Sequence, residues 1–138
     1  MPPRAIVPPA FRPASEHLKL SPAIASGDHV FLSGTTGSDV NGDMPTDPET
    51  QIRAAFDKIA TTLHAAGLSF QSVVEMTTYH VGLRDHFDLF NAIRLDYVAD
   101  PYPAWTAVEV AGLRREGAIV EIRMIAAASP VSSDQSTP

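Results

Sequence analysis

A carboxylate inside an apolar run is the residue whose setting first raises a chemical question. Glu121 lies within Ile119-Val120-Glu121-Ile122, where an alternating strand should place an apolar side chain or pair the charge. A carboxylate held there can orient a water or shuttle a proton, its pKa set by burial and neighbours. The competing reading is an ion pair with an arginine such as Arg123 or Arg114, across the sheet or a subunit boundary. Trp105 follows the stiff approach Pro101-Tyr102-Pro103-Ala104, which presents the indole near a loop end, either to stack on a ligand or simply to pack. Asn91 borders an apolar helical stripe and can offer its amide to a ligand or to solvent. The other candidates point to plainer roles. His17, His29, His64, His80 and His86 show no i, i+3 or i+4 pairing, so no helix-borne metal site is encoded, and structural or surface roles are expected. Ser33-Gly34 followed by Gly37 matches neither the nucleophile elbow nor the phosphate loop, and those glycines are expected to serve backbone geometry. Asp96 and Asp100 read as a solvated pair at a helix end.

The elements that must position these residues can be read from periodicity. Leu18–Gly34 is extended and split by the turn-prone Ser26-Gly27-Asp28, which predicts a hairpin. Thr46 and Glu49 have capping-box spacing, and Pro48 suits a first turn. Ile52, Ala55, Phe56, Ile59, Leu63 and Ala66 then form one helical stripe, with Gly67 as its stop. Val73–Leu83 reads as a strand. Asp85 is the expected cap of a second helix whose stripe runs through Phe87, Phe90, Ile93, Tyr97 and Val98 to Asp100-Pro101. Trp105–Val110 and Ile119–Ala127 are two further β runs. The order β, β, α, β, α, β, β predicts an α+β domain, a single sheet with two helices on one face. Because the last strand is nearly continuous in apolar residues, another subunit is expected to cover the second face.

Composition narrows the function classes. The 138 residues fit one domain, 44% of them are apolar, and there is no cysteine, which removes disulfides, thiolate metal ligation and a thiol nucleophile together and fits a cytoplasmic protein. Ten basic against sixteen acidic residues give a net charge of -6, so neither nucleic acid nor an anionic membrane surface is an expected partner. No apolar run approaches the roughly 20 residues of a bilayer span, and prolines interrupt the start of the chain where a signal sequence would need an apolar stretch. Residues 1–16 hold five prolines and are expected to form an extended arm. The folded domain is placed at 17–128 and a flexible tail at 129–138.

Taken together, the segments resemble the Rid/YjgF family, whose best studied branch is the RidA enamine and imine deaminases. The resemblance covers about Leu20–Ala126. It is carried by Gly27-Asp28-His29-Val30-Phe31-Leu32-Ser33-Gly34, Ala65-Ala66-Gly67-Leu68, Val73–Tyr79, then Phe87, Phe90 and Asn91, Pro103–Val110, and Val120-Glu121-Ile122 with Ile125-Ala126. It implies a chorismate-mutase-like fold in a homotrimeric barrel, with ligand clefts between neighbouring subunits. It also implies hydrolysis of enamines and their imine tautomers to keto acids and ammonia without metal or organic cofactor. An arginine holds the substrate carboxylate, and a glutamate-oriented water attacks the imine carbon. Ser33, Asn91 and Glu121 match family pocket positions. Where the family has that arginine this chain has Trp105, which cannot pair bidentately with a carboxylate. A small thiol position is Ala107, and a tyrosine position is Leu20. With Glu121 catalytic and Trp105, Asn91, Ser33, Ala107 and Leu20 binding substrate, the expectation is a divergent hydrolase or deaminase acting on an imine, enamine or related small molecule. The alternative is a trimer that binds a small molecule without chemistry. The ribonuclease activity sometimes attached to the family is disfavoured by the acidic balance.

Overall fold

The computed structural model of the chain describes residues 2–128; the expected tail, 129–138, lies outside the described residues. In chain order the elements are β1 (Arg4–Ile6), α1 (Arg12–Leu18), β2 (Ala23–Ser26), β3 (His29–Leu32), α2 (Pro48–Ala65), β4 (Val73–His80), α3 (Leu83–Arg94), β5 (Ala104–Glu109) and β6 (Val120–Ala127). The strands form one sheet in the order β1-β2-β3-β6-β4-β5. Every pair is antiparallel except β4 with β5, which the α3 crossover joins in parallel. The last strand is therefore central. It unites a β1–β2–β3 meander with a β4–α3–β5 unit.

The core lies between the sheet and the two longer helices. Ile52, Ala55, Phe56, Ile59 and Leu63 of α2 are fully buried against Met76, Val120, Ile122 and Met124 of the sheet. At about 1.5–3 kcal/mol per large apolar side chain, this stripe is what holds α2 in place. Phe56 also stacks on Tyr97 at 4.7 Å between centroids. The alternation of β6 is strict, with Val120, Ile122, Met124 and Ala126 buried and Glu121, Arg123, Ile125 and Ala127 half-buried on the other side.

Several expectations change in detail. The first sixteen residues are not simply an extended arm: β1 pairs with β2, and α1 adds a third helix to the two expected. The prolines permit this because Pro9 begins a short 3-10 turn and Pro13 falls in the first turn of α1, where a missing N–H costs nothing. Asp47, not Thr46, caps α2, accepting from the Thr50 amide at 2.9 Å; that bond lowers the pKa of its carboxyl. Gly82, not Asp85, is the N-cap of α3, in the left-handed region at φ 72° that suits a residue without Cβ. α3 stops at Arg94, and Tyr97 reaches the core from a turn beyond it. The outer side of β6 is half charged, so the last strand is apolar on one face only.

Candidate functional site

The six residues singled out from the sequence fall into two groups, Glu121, Ser33 and Leu20 around Gly34, and Trp105, Asn91 and Ala107 between β5 and α3. Glu121 pairs in register with Tyr79, on the face turned away from the helices. Its carboxylate rests against Gly34, where any Cβ would collide with it. Gly34 is fixed in turn, because Thr35 bridges to Ile122 through two backbone hydrogen bonds of 2.9 Å. This glycine is required by close approach. Neither Arg123 nor Arg114 forms an ion pair with Glu121 among the described residues. Ser33, next to Gly34, donates its hydroxyl to the Ser21 carbonyl at 2.7 Å, which leaves its oxygen lone pairs available as acceptors. Leu20 and Ser33 line one cavity of about 200 Å³ with Gly34.

The second group sits between the edge strand β5 and α3. Trp105 is opposite Met76 and Ala107 opposite Thr78, both on the helix side of the sheet. The indole is already engaged. Phe87 lies parallel to it at 5.7 Å, Phe90 tilts against it, and the Arg94 guanidinium carbon stands 4.3 Å from the ring centroid. Asn91 accepts from Arg94 Nε at 2.8 Å, so its amide holds the arginine over the ring. A ligand stacking on Trp105 must therefore compete with Arg94, and packing is the role seen here. Arg94 was not singled out from the sequence, since the apolar stripe of the helix and the family resemblance both pass it by. The signal was its i+3 position relative to Asn91.

Behind Trp105 runs a buried polar chain, also missed. The indole N–H donates to Thr78 Oγ1 at 3.0 Å, Thr78 Oγ1 meets His80 Nε2 at 2.7 Å, and His80 Nδ1 meets His86 Nε2 at 3.3 Å. Thr78 Oγ1 accepts from the indole, and the donor and acceptor roles at the two imidazoles follow their tautomers. Burial, and next the proximity of His86, lowers the His80 pKa to about 4. Burial lowers that of His86 as well. Both rings are neutral donors and acceptors at neutral pH. No cluster of three or more metal-ligating side chains exists among the described residues.

Within one chain, Trp105, Asn91 and Ala107 do not meet Glu121, Ser33 and Leu20. Strand β4 separates β5 from β6, and Glu121 faces the opposite way from Trp105 and Ala107. Within one chain the six residues are therefore divided in two.

Comparison with known proteins supplies the frame for these halves. Residues 12–128 match the family model described as Endoribonuclease L-PSP. The RutC family protein YjgH of Escherichia coli is 39% identical over 113 residues, 81% of this chain and 84% of that one. A 2-iminobutanoate/2-iminopropanoate deaminase of Bos taurus is 30% identical over 115 residues, 82% of each chain. Among solved structures, Protein YJGH superposes with a TM-score of 0.82 at 35% identity, covering 90% of this chain and 95% of the other. RidA from an Antarctic Psychrobacter follows at 0.73 and 31%, covering 78% and 86%. The matched length, the relatives and the shared fold agree that this chain belongs to the Rid/YjgF family.

Proposed function

We propose that this chain is a cofactor-independent hydrolase of an imine, enamine or related small molecule, working in clefts that neighbouring copies complete in a homotrimer. The observation that carries the reading is Glu121: a carboxylate lodged against Gly34, bound by no ion pair among the described residues, beside an accepting Ser33 hydroxyl. The deaminase names of several relatives support the same chemistry. Glu121 takes a proton from a water, and the resulting hydroxide adds to the imine carbon. That proton passes to nitrogen; the adduct's hydroxyl proton then follows it as the C–N bond breaks, giving the carbonyl compound and ammonia, so one water is consumed per C=N bond. The separation of the two half-sites supports a cleft between subunits, since only a second copy can bring a Trp105 face to a Glu121 face.

The test is ammonia release from a panel of imines, measured for the natural chain and for Glu121→Gln. Loss of an acid/base group lowers the rate by about 10²–10⁴, with the assembly unchanged by light scattering. Equal rates in both chains would remove Glu121 from the chemistry. One observation favours the second reading, a trimer that binds without turnover: the indole at the anchoring position is packed under Arg94 rather than open. Binding of a panel member without ammonia release would select it.

A further inference from the structure

We propose that the cavity between α1 and α2 binds a small organic anion with an apolar body, its charged group held by Lys58, Arg114 and Arg115. Its lining combines the apolar Phe11, Leu18 and Leu20 with the three cations. No aspartate or glutamate lines the cavity, although the chain as a whole has a net charge of -6. Its volume of about 200 Å³ is below the roughly 300–1,000 Å³ of sites for drug-sized ligands, which suits a short-chain occupant.

Lys58 is half-buried in the lining of the cavity. Its ammonium donates to Ser38 Oγ at 2.8 Å and forms no ion pair among the described residues. A half-buried ammonium that makes no direct ion pair is costly to keep. Burial first, then the positive charge of Arg115, lowers its pKa to about 8, with Asp39 acting weakly the other way. A bound anion supplies the missing counter-charge and relieves both effects. Arg115 is held for the task, donating from Nη2 to the Gly42 carbonyl at 2.6 Å, and a guanidinium matches the geometry of a carboxylate or phosphate oxygen pair. Thr36 and Ser38, both buried and both lining the cavity, add hydroxyl groups. The cavity shares Leu20 and Ser33 with the proposed cleft but needs neither a second chain nor Glu121.

The experiment uses the full chain with hexanoate and hexyl phosphate as probes and hexanol and inorganic phosphate as controls, measured by calorimetry. The expected result is saturable binding of at least one hexyl anion, at least tenfold tighter than hexanol. Lys58→Met and Arg115→Gln should each weaken it tenfold or more, while Arg84→Gln, which removes a cation that does not line the cavity, leaves it unchanged. The stronger of the two anions identifies the charged group. Lys19 and Lys58 are the only lysines, so amine-reactive labelling read by mass spectrometry gives a second measurement: the bound anion should protect Lys58 and leave Lys19 reactive. Failure of both anions to bind saturably, or equal binding by Lys58→Met, overturns the site. Inorganic phosphate binding as tightly as hexyl phosphate overturns its apolar half.

Discussion

At Gly34 a single methyl group separates two arrangements of Glu121. Gly34→Ala places Cβ on the carboxylate, and because Thr35 is tied to Ile122 on both its N–H and C=O, it is the glutamate that must turn. If Glu121 orients the water, Gly34→Ala should lower turnover almost as far as Glu121→Gln while leaving the fold intact by circular dichroism. Trp105 leads to another prediction. An indole under a guanidinium cannot form the two parallel hydrogen bonds of an arginine fork, and a missing charge-assisted pair costs about 2–5 kcal/mol, roughly 30- to several-thousand-fold in rate. Keto-acid release from 2-aminoacrylate, generated in place by a threonine dehydratase, should be lower than that of an arginine-bearing relative by such a factor. Rates equal to that relative would show that something else, with Arg94 first in line, holds the carboxylate. The histidine pair sets a pH dependence. His80 has a native pKa of about 4 against an ordinary 6.5, so the unfolded chain binds the proton first. Its contribution is fully present above about pH 6.5 and is lost as pH falls toward 4, at up to about 1.4 kcal/mol per pH unit for one group. Denaturant midpoints should fall over that window, and His80→Gln should flatten the decline. Trp105 is the only tryptophan and donates into the same chain through Thr78, so its fluorescence should follow the transition.

Among the elements, α2 has the most exacting attachment. Gln51 is 1% exposed, donates to the carbonyls of Pro45 and Gly117 and accepts from the Ile119 amide. One side chain thus joins the start of α2 to the loops before it and before β6. Gln51→Leu keeps the volume and improves helix propensity, yet it strands backbone groups at about 1–3 kcal/mol each. Chemical denaturation should show a net loss of about 3 kcal/mol or more, with faster hydrogen exchange at Ile119. The stripe of α2 and the alternation of β6 were readable from sequence because each repeats a period over many residues. Gln51 was not, since a polar residue next to Ile52 carries no periodic mark and its partners lie up to 68 residues away. The same limit applies to Arg94 and to the Thr78–His80–His86 chain, whose members are brought together by β4 and the start of α3 rather than by sequence spacing. The N-terminal prolines were misread for a different reason. Their density suits an arm, but individually they occupy an edge strand's flank and first turns, where proline is tolerated.

For the molecule as a whole, the family assignment and the single-sheet α+β architecture agree with what the sequence implied, while the proposed cleft rests on a second copy. The outer face of the sheet presents Phe31, Tyr79 and Ile125 among Thr77, Glu121 and Arg123, all partly exposed in the single chain. If three copies close a barrel over this face, light scattering should report about three chains per particle at micromolar concentration. A monodisperse monomer would dismantle the intersubunit cleft but leave the Lys58 cavity standing.

The central place of β6 in the sheet also governs when the protein can come into being. Residues 120–127 are made after all five other strands, yet they form the seam between the β3 edge and the β4 edge. Until the ribosome has delivered them, the emerging polypeptide carries two unjoined sheet fragments with open edges and an α2 stripe lacking Val120, Ile122 and Met124 to bury against. A nascent chain halted before Val120 should be protease-sensitive and prone to capture by chaperones. Extending synthesis past Ala127 should convert it in one step, because the closing contacts span the longest sequence separations in the fold.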